Sequence, residues 1–491
     1  MPILRKSLLI VGSLLLAACS PLPGTTTINS TRVDKPESAK AETSLPTPTI
    51  AKSVSLGESV PVMLWTDSSG EDSLLLIDPL TGQVLTDYEP IPLGQAAFQA
   101  FSPDQHTLAV VGFVSSQHPN GGSLHLINLN TWTEQVQELR LDSYVNAMAF
   151  SPDGHQLAIA YGNAQSRVLI EDVNKPLVKS KTAVRENSLD FYVYSMKFNT
   201  NGSRLMLYGS KSENPNTVNQ MNPDPPVAVL LDSTDLSVRW KVNLDGVHHG
   251  ILPKDGNTIA TPDLTQPGSA IYLYPGLAFA PDSNILYIAH ADEDKLTTVN
   301  FAAQKVITLD IKPQLSWFER LLSLGAIDAH AKVAEGTRKD AVISPDGKSL
   351  YIVGQRSELG ETSGNEPQVN NIPLGLQIVR TNDGSRVAHY DTDAQELSIS
   401  ANGRYLYLRS WGVSSDVAST QIFDTSTDQI ISSLSGMFLL PTRRLDGRPI
   451  LGSSVWMQNK RINHISIVDP QDLSVLAAWD STDTPNWLPR P

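Results

Sequence analysis

Beyond about residue 60 the hydrophobic positions fall in short runs broken by turn residues, and the runs come in a pattern with two halves. The first half is an apolar strand, a turn of the form Ser-Pro-Asp-Gly, and a second apolar strand. It occurs as AAFQAFSPDQHTLAVVGF (97–113), NAMAFSPDGHQLAIAY (146–161), YSMKFNTNGSRLMLYG (194–209), PGLAFAPDSNILYIAH (275–290), DAVISPDGKSLYIVG (340–354) and ELSISANGRYLYLRS (396–410). Proline presets the turn, Asp or Asn bonds the backbone ahead, and glycine accepts the left-handed position, so each copy predicts a hairpin. The second half is an apolar strand, a short Asp/Asn/Thr turn and a valine-rich strand, as in SLLLIDPLTGQVLTDY (73–88), VAVLLDSTDLSVRWKV (227–242) and HISIVDPQDLSVLAAWD (464–480). Two hairpins in series make a four-stranded sheet with two apolar faces. Copies must stack to cover those faces, and radial stacking is the β-propeller.

The central strand pairs are expected at 62–77, 107–128, 156–172, 204–232, 285–301, 349–380, 404–424 and 449–468. They predict an all-β fold, a single propeller of eight blades, with seven as the alternative. The first copy lacks an innermost strand and the last has LDG (445–447) in place of SPDG, so strands from both chain ends are expected to close the ring. LYIAHADEDKLTTVNFAAQKVITLDI (286–311) resembles the YVTN-type repeat, and the SPDG hairpins resemble the WD-repeat-like and Tol-Pal-type propeller repeats of bacteria. The resemblance implies the propeller fold and leaves function open, because such folds host binding, scaffolding and several chemistries.

Three stretches break the period: 211–226, 243–274 with His248 and His249, and 312–339. In the last, Leu315, Phe318 and Leu322, then Trp317, Leu321 and Leu324, follow helical spacing. A short helical insertion near 315–335 is expected there, packed on the rim, docking a partner or covering the channel.

The N-terminus changes the picture of where this body works. Arg5 and Lys6, an apolar run from Leu8 to Leu16, and Leu16-Ala17-Ala18-Cys19 form a signal peptide too short to span a bilayer. The last four residues resemble the lipobox of bacterial lipoproteins, which implies lipidation of Cys19 and removal of residues 1–18. Cys19 is the only cysteine in 491 residues, so an internal disulfide and a thiolate metal cage are excluded. Residues 19–52 comprise the lipidated cysteine and a Ser/Thr/Pro-rich linker, and 53–491 the propeller domain. The expected address is a cell membrane or outer membrane, with the lipid-anchored body on the extracytoplasmic side.

The formal net charge is −14, and loss of Arg5 and Lys6 takes it to about −16 with no basic run to compensate, so nucleic acid is excluded as a partner. Gly-x-Ser-x-Gly and His-Glu-x-x-His are absent, and GKS (347–349) lies in a hairpin without the upstream glycine of a phosphate loop. No catalytic, cofactor-binding or metal-ligating residue is therefore assigned, and no cofactor is expected. His248 and His249 point to opposite faces if extended, but as loop residues could meet with Asp245. Asp391, Asp393 and Glu396 have calcium-like spacing without the glycine and remaining ligands of a known loop. Trp411, Trp456 and Trp479 sit at strand ends, where packing or rim binding would use them. These readings predict a monomeric lipoprotein whose propeller binds or scaffolds a protein or glycan partner in the envelope. The alternative is a propeller-fold enzyme, lactonase-like or another hydrolase.

Overall fold

In the computed structural model the described residues are 62–487, apart from 67–70, 79–82, 95, 113–122, 139–144, 163–164, 174–184, 211–224, 254–269, 282–283, 314–335, 360–368, 401, 412–417, 437, 444–448, 458–461, 470–471, 473 and 483. They form a β-propeller. All eight expected central strand pairs are present as antiparallel ladders. Seven of them lie in regular four-stranded blades, the lower of the two counts the repeat allowed. The pair at 349–380 lies in an eight-stranded sheet instead, whose strand Gly336–Ile343 packs between the inner strands Gly276–Phe279 and Glu396–Ile399. No helix occurs among the described residues, and the helical insertion expected near 315–335 lies outside them. Nor is any described helix long and apolar enough to cross a membrane.

The recurrent turn explains its own consensus. In 151–156, Ser151 Oγ donates to Asp153 Oδ1 (2.5 Å) and accepts from Gln156 N–H (2.9 Å), while Asp153 Oδ1 accepts from His155 N–H (3.0 Å). Gly154 takes φ = 72°, the left-handed region where a side chain is strained. The bond from Ser151 is the main cause holding the Asp153 carboxyl below its ordinary value. Ser344, Asp346 and Ser349 repeat the arrangement around Gly347, so the GKS sequence is a hairpin turn.

Stacking then buries the faces. Each apolar cluster is shared by neighbouring sheets, as where Ala158, Ala160 and Val168 meet Leu205, Leu207 and Val229. Burying one such leucine or valine contributes about 1.5–3 kcal/mol. Met63, Leu75 and Ile77 pack on Ile450, Ile465 and Ile467, joining the two ends of the chain. The closure is also a backbone one: Thr484–Trp487 pairs antiparallel with Val62–Thr66 and supplies the innermost strand missing from the first copy.

Gly209 shows how tight the packing is. A Cβ there would meet Tyr192 O at 2.3 Å and the Phe191 ring at 2.4 Å. Gly209→Ala is expected to destabilise by at least about 2 kcal/mol, read as a lower urea midpoint at unchanged slope. A midpoint equal to the parent's would contradict this packing.

Candidate functional site

Antiparallel alternation sorts the connections by end. SPDG turns and third-to-fourth-strand turns lie at one end of each blade, while second-to-third-strand and inter-blade connections lie at the other. The period-breaking stretches 211–226, 243–274 and 312–339, and the extension of strand Ser349–Leu359 with its partner Val369–Pro373, all belong to the second end. The described added strands, 250–253, 270–274 and 369–373, therefore lie at one face of the ring.

On that face the chain extends its own inner strand. Ala270–Tyr274 pairs in parallel with the start of Gly336–Ile343, at Tyr272↔Gly336, Leu273↔Thr337 and Tyr274↔Arg338, and Gly250–Pro253 pairs outside it. The opposite edge of 336–343 is taken by 349–359. The two added strands therefore lie on the channel side, at the channel mouth.

His248 and His249, just before those strands, diverge. His248 Nδ1 donates to Asp292 Oδ2 (2.6 Å), half-exposed, and this bond is the first cause of its raised pKa, with burial opposing and Glu293 assisting. His249 is 5% exposed, stacked on Tyr194 (centroids 3.9 Å, 24°) and edge-on to Tyr274 (5.5 Å, 83°). Its Nδ1 lies 3.0 Å from Tyr208 Oη, and its Nε2 is buried without a partner. Burial pushes its pKa down to about 3. Asp245 is exposed, so the three residues do not form the grip that the loop reading allowed, and no group able to hold a metal ion occurs among the described residues.

Asp292 belongs to the turn 290–294, which the sequence reading passed over. His290, 1% exposed, reaches Thr297 Oγ1 through Nε2 (2.7 Å) and leaves Nδ1 buried and unpartnered; burial lowers its pKa to about 4. Lys339, buried on the neighbouring inner strand, donates to Glu293 O (3.2 Å), and burial lowers its pKa too.

Across the same strand, Asp340 accepts from the Leu397 and Ala341 N–H groups (both 3.0 Å). Glu396 lies between Arg338 (3.4 Å) and Arg409 (3.6 Å). Burial raises both carboxyl pKa values. Glu396 is thus drawn away from Asp391, which is exposed, and Asp393, which accepts from Ser410 Oγ (2.8 Å); the calcium-like spacing does not converge. Trp479 packs against the ring-closing cluster, and Trp411 is half-buried at a strand end. Cys19, the linker and the side chain of Trp456 lie outside the described residues. The buried His290 and Lys339 and the half-buried Asp340 carried no motif in sequence; a lysine and an aspartate inside an inner-strand pattern were the only available signal.

No known protein-family model matches the sequence, and no curated protein matches it either. Solved structures do. Dihydro-heme d1 dehydrogenase NirN in complex with DHE superposes with a TM-score of 0.54 at 12% identity, over 90% of this chain and 77% of that one. Kuenenia stuttgartiensis hydrazine synthase gives 0.41 at 13% identity, over 77% and 95%. The Myceliophteria thermophila Cps50 (Swd1) β-propeller domain gives 0.40 at 12%, over 76% and 96%. At such identities the likeness is one of fold alone.

Proposed function

We propose that the protein is a lipid-anchored, extracytoplasmic recognition module that binds a protein or glycan partner of the envelope through the propeller face bearing the inserted strands. The observation that carries this reading is the one-sided placement of the added chain, with 250–253 and 270–274 built onto an inner strand at the channel mouth. The groups gathered there are tied to each other or buried as core, and His248 and His249 share no reacting centre. That favours recognition over turnover.

Two measurements test the reading. Cys19→Ala is expected to move the protein from the membrane pellet to the soluble fraction, and retention in the pellet after a high-salt wash would overturn the anchor. The immobilised body, 53–491, is then offered soluble peptidoglycan fragments and purified envelope proteins. Tyr272→Ser, at the exposed position of the strand at the mouth, is expected to weaken capture at least tenfold, whereas Asp153→Ala in an opposite-face turn leaves it unchanged. Equal effects, or hydrolysis of lactone or ester substrates by the purified body, would defeat the recognition reading.

A further inference from the structure

We infer that the tyrosines at the channel mouth form a stacking shelf for an uncharged oligosaccharide, an inference that rests on the recognition reading and names its ligand class.

The rings come from two separate parts of the chain. Tyr192 and Tyr194 begin the inner strand Tyr192–Phe198, at the end of the ring that carries the added strands, and Tyr272 and Tyr274 share one face of Ala270–Tyr274. His249 joins the two sets. Tyr192 lies against Tyr194 (centroids 4.9 Å, 56°), Tyr194 is stacked on His249, and Tyr274 meets the edge of the same imidazole. The histidine is buried, while all four tyrosines keep some exposed surface, Tyr272 the most at 39%. The buried ring therefore sets the planes of Tyr194 and Tyr274 without itself meeting a ligand.

Ring faces with hydroxyl rims suit a sugar. A pyranose has a C–H face that packs on an aromatic ring, and hydroxyls at its edge that need polar partners. Such partners flank the shelf: the His248–Asp292 pair next to His249, and Arg338, which is in register with Tyr274 and paired to Glu396. A protein partner would be gripped at bare apolar anchors as well. Among the described residues, the exposed aliphatic side chains of Val136, Val238, Ile307, Ile430, Ile431 and Val475 stand on outermost strands, away from the mouth. The formal net charge of −14 disfavours a polyanionic glycan.

Titration calorimetry of the full chain with chitotetraose, cellotetraose and maltotetraose tests the shelf, and at least one of them is expected to bind. Tyr272→Leu and Tyr194→Leu keep apolar bulk but lose the ring, and each should weaken that binding about tenfold. Tyr272→Phe and Tyr194→Phe keep the ring and should cost no more than about threefold. Tyr272 is the more exposed of the two, so its pair of variants decides the matter if Tyr194→Leu fails to fold. Absence of binding to all three sugars, equal losses in the Leu and Phe variants of Tyr272, or competition by a heparin tetrasaccharide would overturn the shelf. If capture of an envelope protein still depends on Tyr272 while no sugar binds, the ligand class fails and the recognition reading stands; loss of both defeats both.

Discussion

Removing residues 482–491 should abolish the single sharp melting transition and leave a protein that aggregates at the parent's working concentration. Thr484–Trp487 is the innermost strand of a blade whose other three strands come from the opposite end of the chain, with Met63↔Trp487, Leu64↔Asn486, Trp65↔Pro485 and Thr66↔Thr484 in register. A proline is tolerated there because this strand has a sheet partner on one side only. Without it, Val62–Thr66 presents an unpaired backbone edge to the channel, and edges of that kind recruit other chains. The cluster of Met63, Leu75 and Ile77 with Ile450, Ile465 and Ile467 would keep one contact across the seam, but an apolar contact without strand pairing does not fix register. Differential scanning calorimetry with light scattering reads both effects. A truncated protein melting as sharply as the parent, within about 3 °C of it, would show that the ring does not depend on this closure; 1 kcal/mol shifts a chain this large by no more than about 2–4 °C.

Acid should destabilise the body well before its surface carboxylates titrate. His249 and His290 are held neutral by burial, with pKa values of about 3 and about 4 against 6.5 in the unfolded chain. Each depressed pKa gives stability that is complete above pH 6.5 and is lost as pH falls toward the folded value, because the unfolded state takes up the proton first. Each group contributes a slope of up to about 1.4 kcal/mol per pH unit in that window. The raised imidazole of His248, in the same window, and the raised carboxyls of Asp340 and Glu396, at the acid end, act with the opposite sign and reduce the net loss. Urea midpoints at pH 7.5, 6.0 and 5.0 are expected to fall steadily in the parent. His249→Phe should remove about half of that fall, and adding His290→Gln most of the rest. An undiminished pH slope in the double variant would mean that neither imidazole is held neutral by burial.

Local chemistry made most of the ring legible before any coordinates. A hairpin is written in neighbouring residues: the Ser, Asp and Gly of SPDG each have a bond or a left-handed φ to supply, and the six central pairs that follow such a turn lie where that pattern puts them. Closure was visible as a deficit, since a first copy without an inner strand needs one from elsewhere.

What the tertiary structure alone decided is who meets whom over long separations. Ala270–Tyr274 reads as one more apolar run, and nothing local says that it pairs in parallel with 336–338 as part of an eight-stranded sheet. Two adjacent histidines look equivalent in sequence, yet one finds Asp292 and half-exposure while the other is sealed among Tyr194, Tyr208 and Tyr274. Asp391, Asp393 and Glu396 look like one ligand set until Arg338, fifty-eight positions earlier, claims Glu396. Spacing fixes which side chains share a strand face, because that follows from backbone geometry within a few residues. Burial, pairing and protonation depend on partners that only the closing of the ring brings into reach.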